Sequence, residues 1–444
     1  MTNKTSPKIA ILGASGLIGE AIATALIAEG FPTLAVAKRF TNSQKHRFGP
    51  SALLSPVVSM SADALSELLA ANNVDIVINC VGILQDGANG GTKDVHTDFV
   101  NRLLSALSKQ KKQALLVHLS VPGDAEDDKT AFSKTKRAAE HQIADSDVPH
   151  VILRPGFVIA PRAYGGSALI RAIAALPFGL SAREAQQEFA TAAISDIART
   201  VSIVATRWRD GTKKWNSVWD IMSPTVPTVG FVIDRFRQHL GGPNPKFSLP
   251  SLLLSLGAKM GDLVGLLGWA PPVRTTALAE MRRGVAGDPS SWIAETGITP
   301  LSFNETLAQL PATVQEKWFA RLFLLKPLLL AMLAGFWFLS GAIALAFSFQ
   351  ATSAVFTSHG FPPSIADILA VVTSLADIAV AIAIAFRRTC KTGLIFSIAI
   401  SFIYMTSAAF LAPDLWLDPL GAMVKVGPSI VLTLVGIAIL DDRA

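Results

Sequence analysis

The chain has 444 residues, half of them hydrophobic, only 16% charged, with a net charge of +6. The length exceeds one ordinary domain and fits two or three, and the charged fraction falls well below the quarter usual in soluble domains, which places part of the chain in lipid. No basic stripe with interleaved aromatics is present, so nucleic acid is excluded as a partner, and an anionic lipid surface or anionic cofactor fits the modest positive balance.

In chain order, residues 9–12 (IAIL) read as a short buried strand, followed by Gly13, Gly16 and Gly19 at G-x-x-G-x-x-G spacing and by a helix over 20–29. Each glycine has its own task. Gly13 turns the chain off the strand, Gly16 lets backbone approach a pyrophosphate, and Gly19 lets the helix pack closely on the sheet. The backbone of Ser15, Gly16, Leu17 and Ile18 then offers N–H groups and the positive dipole end to phosphates. The N-terminal MTNKTSPKIA has no apolar core of signal-peptide length, so this domain is expected to stay in the cytoplasm.

Further strands are expected over 33–39, 74–82, 114–121 and 150–156, with helices over 63–71, 95–107 and 132–144. Asp63 reads as the N-cap of its helix. Strands apolar throughout, alternating with helices, predict an α/β doubly wound parallel sheet covered on both faces. Residues 1–160 form this domain, and 161–315, richer in Pro, Gly and Trp, form a small variable lobe covering the cofactor's reactive end. Residues 316–444 form a membrane domain.

Within that last part, spans of about 324–349, 365–386, 392–412 and 419–440 predict a four-helix transmembrane bundle. Lys317, Arg321 and Lys326 flank the first span, and Arg387, Arg388 and Lys391 lie between the second and third. The positive-inside rule puts these segments, the N-terminal domain and the C-terminus on the cytoplasmic side of an inner, multi-pass membrane. Asp367, Asp377 and Lys425 are ionisable groups within the spans, and such groups are costly unless paired or hydrated. Lys425 is expected to pair with one of the two acids, either as a structural ion pair or as part of a proton path or quinone-headgroup pocket. Cys80 and Cys390 lie in regions expected to be far apart, so no disulfide is predicted, and no metal-ligand cluster is read from the sequence.

GASGLIG, the NCVG after the fourth strand, the SVPG after the fifth, Lys136 and the LRPGFV segment together resemble an atypical extended short-chain dehydrogenase/reductase, nearest to proteins related to the dinucleotide-binding accessory subunit of respiratory complex I. The segment from WFARLFLLKPLLL onward is similar to a DoxX-like membrane domain. The resemblance implies a Rossmann domain holding NAD or NADP, with chemistry run by a Ser, a Tyr and a Lys, the last two as Y-x-x-x-K. Ser120 matches the Ser and Lys136 the Lys, but Phe132 stands where the Tyr belongs. Tyr404 falls inside the third span and Tyr164 in a loop at the mouth of the variable lobe. Lys136 then serves catalysis or simply bonds the ribose hydroxyls, and water or Tyr164 is the fallback proton donor.

An acidic residue ending the second strand selects NAD, and a basic one suits NADP. This strand ends in Lys38 and Arg39, with Lys45 and Arg47 beyond, so NADP is favoured and NAD stays open. Asn79, Cys80, Val81 and Gly82 are expected to line the adenosine side, with Cys80 as a small buried residue rather than a reactive thiol. Pro155 and Gly156 are expected near the nicotinamide. Two functions remain. One is a membrane-anchored oxidoreductase acting on a quinone- or isoprenoid-like substrate. The other is a non-catalytic NADP-binding assembly, stability or redox-sensing factor for a respiratory or ubiquinone-synthesis complex.

Overall fold

The computed structural model describes residues 6–87, 90–419 and 421–440; the readings made over residues 1–5 and at Leu420 lie outside the described residues. The chain divides into two compact units. One holds Met1–Asp262 with Pro272–Lys317, the other Leu263–Pro271 with Trp318–Ala444.

The first unit is built on seven parallel strands: β1 (Ile9–Leu12), β2 (Thr33–Ala37), β3 (Ala52–Leu54), β4 (Ile76–Asn79), β5 (Leu115–Leu119), β6 (His150–Pro155) and β7 (Asn216–Ile221). Their order is β7-β6-β5-β4-β1-β2-β3. Ile9 of β1 pairs with Thr33 on one side and Ile76 on the other. The direction of winding therefore reverses beside β1, and a crevice opens at the carboxyl ends of β1 and β4.

The pleat of β1 explains its all-apolar sequence. Ile9 and Ile11 enter the core on one face of the sheet, while Ala10 and Leu12 enter the core on the other. Helices α1 (Leu17–Ala28), α2 (Asn42–Phe48), α3 (Ala62–Ala71), α4 (Phe99–Ser108) and α5 (Ala131–Ala144) follow successive strands. Ser61, not Asp63, caps α3, because its hydroxyl accepts from the Ala64 N–H and Asp63 sits inside the first turn. The expected helix over 95–107 begins instead with a π-turn, Asp94–Asp98.

β3 and β7 were not anticipated. β3 has three residues, and β7, at the sheet edge, has Asn216 and Val218 exposed. Part of the stretch read as a variable lobe is also structural support for the sheet. α6 (Ile194–Asp210) sends Ile197, Val201, Val204 and Trp208 into the core shared with α1. A separate small core, with Ile159, Phe189, Phe236 and Phe303, includes α7 (Val229–Leu240). α8 (Ser251–Leu266) and α9 (Thr275–Arg283) follow.

The second unit contains α10 (Leu325–Ala346), α11 (Pro363–Ala385) and α12 (Cys390–Leu411), three helices long and apolar enough to cross a membrane. The fourth expected span is shorter. α13 (Val426–Leu440) has 15 residues, because Gly421 adopts a left-handed φ of 62° and the chain turns through residues 421–425 before the helix starts. α10 and α11 approach closely at Gly341, where a Cβ would lie 2.4 Å from the Ser374 carbonyl oxygen.

Asp377 accepts hydrogen bonds from Ser340 Oγ at 2.9 Å and Tyr404 Oη at 2.8 Å, and Asp367 accepts from Ser353 Oγ at 2.6 Å. The expected pairing of Lys425 with one of these acids is corrected. Lys425 lies exposed in the turn before α13 and makes no ion pair among the described residues. Hydroxyl donors from neighbouring helices satisfy the acids instead.

Candidate functional site

The loop between β1 and α1 closes over the end of β4. Gly13 has φ of +84°, and a Cβ there would meet the Cys80 and Val81 backbone at 3.0–3.1 Å. A Cβ on Gly19 would stand 2.4 Å from the Gly13 carbonyl oxygen. These two glycines are dictated by the fold itself. At Gly16 the nearest atom to an added Cβ is that same oxygen, at an ordinary 3.4 Å. The space beside Gly16 is therefore kept clear for something outside the chain. Gly16 is the N-cap of α1 and supplies no side-chain cap, which leaves the first-turn N–H groups of Leu17 and Ile18 available to an anion.

At the end of β2, Lys38 and Arg39 are both exposed, with no acidic residue between them and the strand. Arg47 is committed elsewhere: together with Arg162 it pairs with Glu20, whose carboxylate also accepts from Gln44 Nε2 at 2.6 Å. Gln44 in turn donates to the Ser15 carbonyl oxygen at 3.1 Å and so braces the glycine loop from α2.

Beyond β4, Asn79 Oδ1 accepts from the Val81 N–H at 3.1 Å and its Nδ2 donates to His118 Nδ1 at 3.1 Å. Cys80 is a free thiol. Burial, opposed by Lys136, pushes it up to about 12, so it stays protonated and is not a nucleophile.

Lys136, on α5, is buried. Its Nζ donates to the Leu119 carbonyl oxygen at 2.7 Å and reaches the Val81 carbonyl oxygen at 3.5 Å. A Cβ on Gly82 would stand 3.3 Å from the same Nζ, so Gly82 leaves this ammonium room. Burial lowers the Lys136 ammonium to about 8, against the opposing influence of Cys80 and Glu140. Of its three N–H donors, one or two serve these carbonyls, and one is left for a ligand hydroxyl. Ser120 is buried, and its Oγ is directed at the Glu140 carboxylate.

Residues 9–214 match the model of the NAD dependent epimerase/dehydratase family, and residues 334–434 match that of the DoxX-like family. The chain carries an epimerase/dehydratase domain at its N-terminus and a DoxX-like domain at its C-terminus. Among solved structures, the UDP-glucuronic acid 4-epimerase of Bacillus cereus, in complex with UDP-glucuronic acid and NAD, is similar at 15% identity and a TM-score of 0.51. That match covers 71% of this chain and 99% of that one. Bordetella bronchiseptica WbmG, in complex with NAD and UDP, is similar at 16% identity and a TM-score of 0.52, covering 71% and 96%. MoeE5, in complex with UDP-glucuronic acid and NAD, gives 18%, 0.50, 68% and 97%. At these identities the likeness shows the fold. No protein of curated function matches the sequence.

In this epimerase/dehydratase domain Phe132, one turn before Lys136 on α5, is half-buried and edge-on to His96, with ring centroids 5.6 Å apart. Sequence reasoning missed His96. Its Nε2 accepts from the Ile83 N–H at 3.2 Å and its Nδ1 faces Thr135 Oγ1 at 2.8 Å, so the proton sits on Nδ1. Burial and the Lys136 charge, opposed by Asp86, lower it to about 3, and the ring stays neutral. Tyr164 is 64% exposed and starts the helix Gly165–Ala174.

An ionic network behind the site was also missed. Glu140 on α5 accepts from Arg154 Nε at 2.9 Å and from Arg137 Nη1 at 2.9 Å. Arg137 also holds Asp128 at 3.1 Å, and Asp128 is held by Arg283 at 2.7 Å. Burial alone would raise the Glu140 carboxyl. Hydrogen bonds from Arg154 and Ser120 and the two guanidinium charges override it and hold the group below the ordinary carboxylate range. The network ties α5, and with it Lys136, to β6. Gly156, just past β6, is required by packing, since a Cβ there would lie 2.7 Å from the Ala190 carbonyl oxygen. Pro155 pairs with Ile221 of β7.

Proposed function

We propose that this chain is a membrane-anchored, NADP-binding oxidoreductase whose cofactor cleft faces the cytoplasm and whose substrate is a lipid-soluble quinone- or isoprenoid-like carbonyl compound. The observation that carries the reading is the buried Lys136 ammonium beside Ser120, at the carboxyl end of a sheet whose glycine loop is kept clear for a pyrophosphate. Gly16, Leu17 and Ile18 would hold the phosphates, with Lys38 and Arg39 at the 2′-phosphate, and Asn79, Val81 and Gly82 would line the adenosine side. Pro155 and Gly156 would lie towards the nicotinamide. When bound, the dinucleotide supplies the hydride.

Lys136 and Ser120 do the remaining work. Lys136 Nζ orients a ribose hydroxyl and, near neutrality, carries a proton that it can release towards a reduced substrate oxygen. Ser120 Oγ, which faces the Glu140 carboxylate, would turn its hydroxyl to bond the substrate carbonyl. The basic residues Lys317, Arg321, Lys326, Arg387, Arg388 and Lys391 favour the cytoplasmic orientation under the positive-inside rule. The test is to purify the whole chain in detergent and follow nicotinamide absorbance with NADPH and a short-chain quinone. Steady oxidation abolished in Lys136→Ala supports the reading, and bound NADPH without turnover defeats it.

A second reading is favoured by Phe132. Its ring packs on neutral His96 where a phenol would supply the proton. On that reading NADP is a bound structural or redox-sensing ligand, and the protein assists a respiratory or ubiquinone-synthesis complex. The same assay decides between the two.

A further inference from the structure

The first unit has a second cationic cavity, formed apart from the dinucleotide loop. It has a volume of about 540 Å³ and lies between α8, α9 and the segment leading into α5. Five of its lining residues are basic. Arg282 is committed to Glu184 at 2.7 Å and Arg283 to Asp128. Lys129, Arg183 and Lys259 are exposed on the same cavity and make no ion pair among the described residues. Against them stand Asp127 and Glu280, and Glu280 already accepts from Thr130 and lies 3.6 Å from Arg283. An anion therefore has three cations to meet and no fixed partner to displace.

One wall of the cavity is α8, and its two sides differ in chemistry. Ser255, Ala258 and Lys259 face the cavity. The helix is fixed by backbone contact, since a Cβ on Gly261 would fall 1.9 Å from the Val273 carbonyl oxygen. Asp262, at the same level, binds Arg274 at 2.9 Å. The helix is thus seated in one orientation. In that orientation Leu252, Leu256 and Met260, four residues apart and so on one face, are 70%, 49% and 58% exposed, with Leu253 beside them and Phe247 just before the helix. Exposed apolar side chains concentrated on one helix face, edged by lysine, form the pattern of a helix lying in a membrane interface. The chain itself supplies three helices able to cross a bilayer.

We propose that α8 rests in the surface of the bilayer and that the adjoining cavity takes the phosphate headgroup of an anionic phospholipid, held by Lys129, Arg183 and Lys259. The acyl chains then run along Leu252, Leu256 and Met260. Lys259 sits at the border of the two surfaces and reaches the headgroup while its methylenes stay in the apolar layer.

The test uses the full chain in nanodiscs doped with phosphatidylglycerol or phosphatidylcholine bearing a photoreactive group on the acyl chain. Cross-linked peptides are mapped by mass spectrometry. The expected result is strong labelling of residues 252–260 by phosphatidylglycerol, weaker labelling by phosphatidylcholine, and no competition by inorganic phosphate. In Lys129→Ala/Arg183→Ala/Lys259→Ala, labelling by phosphatidylglycerol falls at least about tenfold, while Lys129→Arg/Lys259→Arg retains it. The proposal is overturned by adducts confined to the spans, by equal labelling from the two lipids or by labelling unchanged in the triple alanine variant. Displacement by inorganic phosphate, or chain-to-chain cross-links through residues 252–260, overturns it equally. The readout needs no turnover, so its failure is distinct from failure of the oxidoreductase reading.

Discussion

Phe132 stands edge-on to His96, 5.6 Å between ring centroids, one helical turn before Lys136. The ring it touches is a histidine kept neutral, and on the proposed reading Phe132 takes the place of a proton-donating phenol. On the proposed reading Lys136 and Ser120 are the lysine and serine of a carbonyl reductase, and one oxygen is missing.

Phe132→Tyr restores that oxygen. The added hydroxyl lies beside a buried ammonium, which favours the phenolate. General acid–base catalysis of this kind is worth about 10²–10⁴-fold, so carbonyl reduction with NADPH is expected to rise by at least about a hundredfold over the wild-type chain. Unchanged rates in a variant that still binds NADPH would show that Ser120 and Lys136 are not arranged for this chemistry.

Lys136 makes stability depend on alkaline pH. Its ammonium lies near 8 in the fold against 10.5 ordinarily, because burial disfavours the charge. Between those values the unfolded chain binds the extra proton, so stability contributed at this site rises with pH across the window. Below about 8 the fold carries the full penalty, at most roughly 3 kcal/mol. Lys136→Met removes the titration. Thermal melts of the two proteins should differ most below pH 8, with the gap closing towards pH 10, and a gap independent of pH would contradict the buried ammonium.

Lys38 and Arg39 follow β2 without an acidic neighbour. Charge-assisted hydrogen bonds to a phosphate contribute about 1.5–3 kcal/mol. Lys38→Ala/Arg39→Ala is therefore expected to weaken NADPH binding by at least about tenfold and leave NADH nearly unaffected, as read by fluorescence titration. Equal weakening of both would move the preference away from the 2′-phosphate.

Much of the dinucleotide half was legible because its signals are local. A buried strand, three glycines and a helix occupy consecutive residues, and the fold places Gly13 and Gly19 where any Cβ would collide. Signals that depend on long-range contact were not legible. His96 gains meaning only from Thr135 and Phe132, some 40 residues away, and Glu140 only from Arg154 and Arg137. Asp63 was misread because Ser61, two residues earlier, competes for the same cap and wins. Hydropathy located the membrane helices, but it has no term for Gly421, which shortens the last of them.

The same blindness affected the intramembrane acids, where matching depth suggested a lysine partner and hydroxyls took the place. Asp377 is held by Ser340 and Tyr404. Lys425→Leu should leave thermal stability within about 0.5 kcal/mol. Asp377→Leu, which strips the Ser340 and Tyr404 hydroxyls of their acceptor, should cost about 1–3 kcal/mol. Detergent melts of the two variants compare them directly, and a larger loss for Lys425→Leu would reinstate the ion pair.

The central claim is that a phosphate-bearing nucleotide sits against the first turn of α1. It is tested most directly by titrating the intact chain with NADPH and NADH by calorimetry, alongside Gly16→Val. Saturable uptake by the wild type, tighter for NADPH and abolished by a valine whose Cβ meets no atom closer than 3.4 Å, is the predicted result. A folded protein that takes up neither nucleotide, or a Gly16→Val variant that binds as the wild type does, would contradict it.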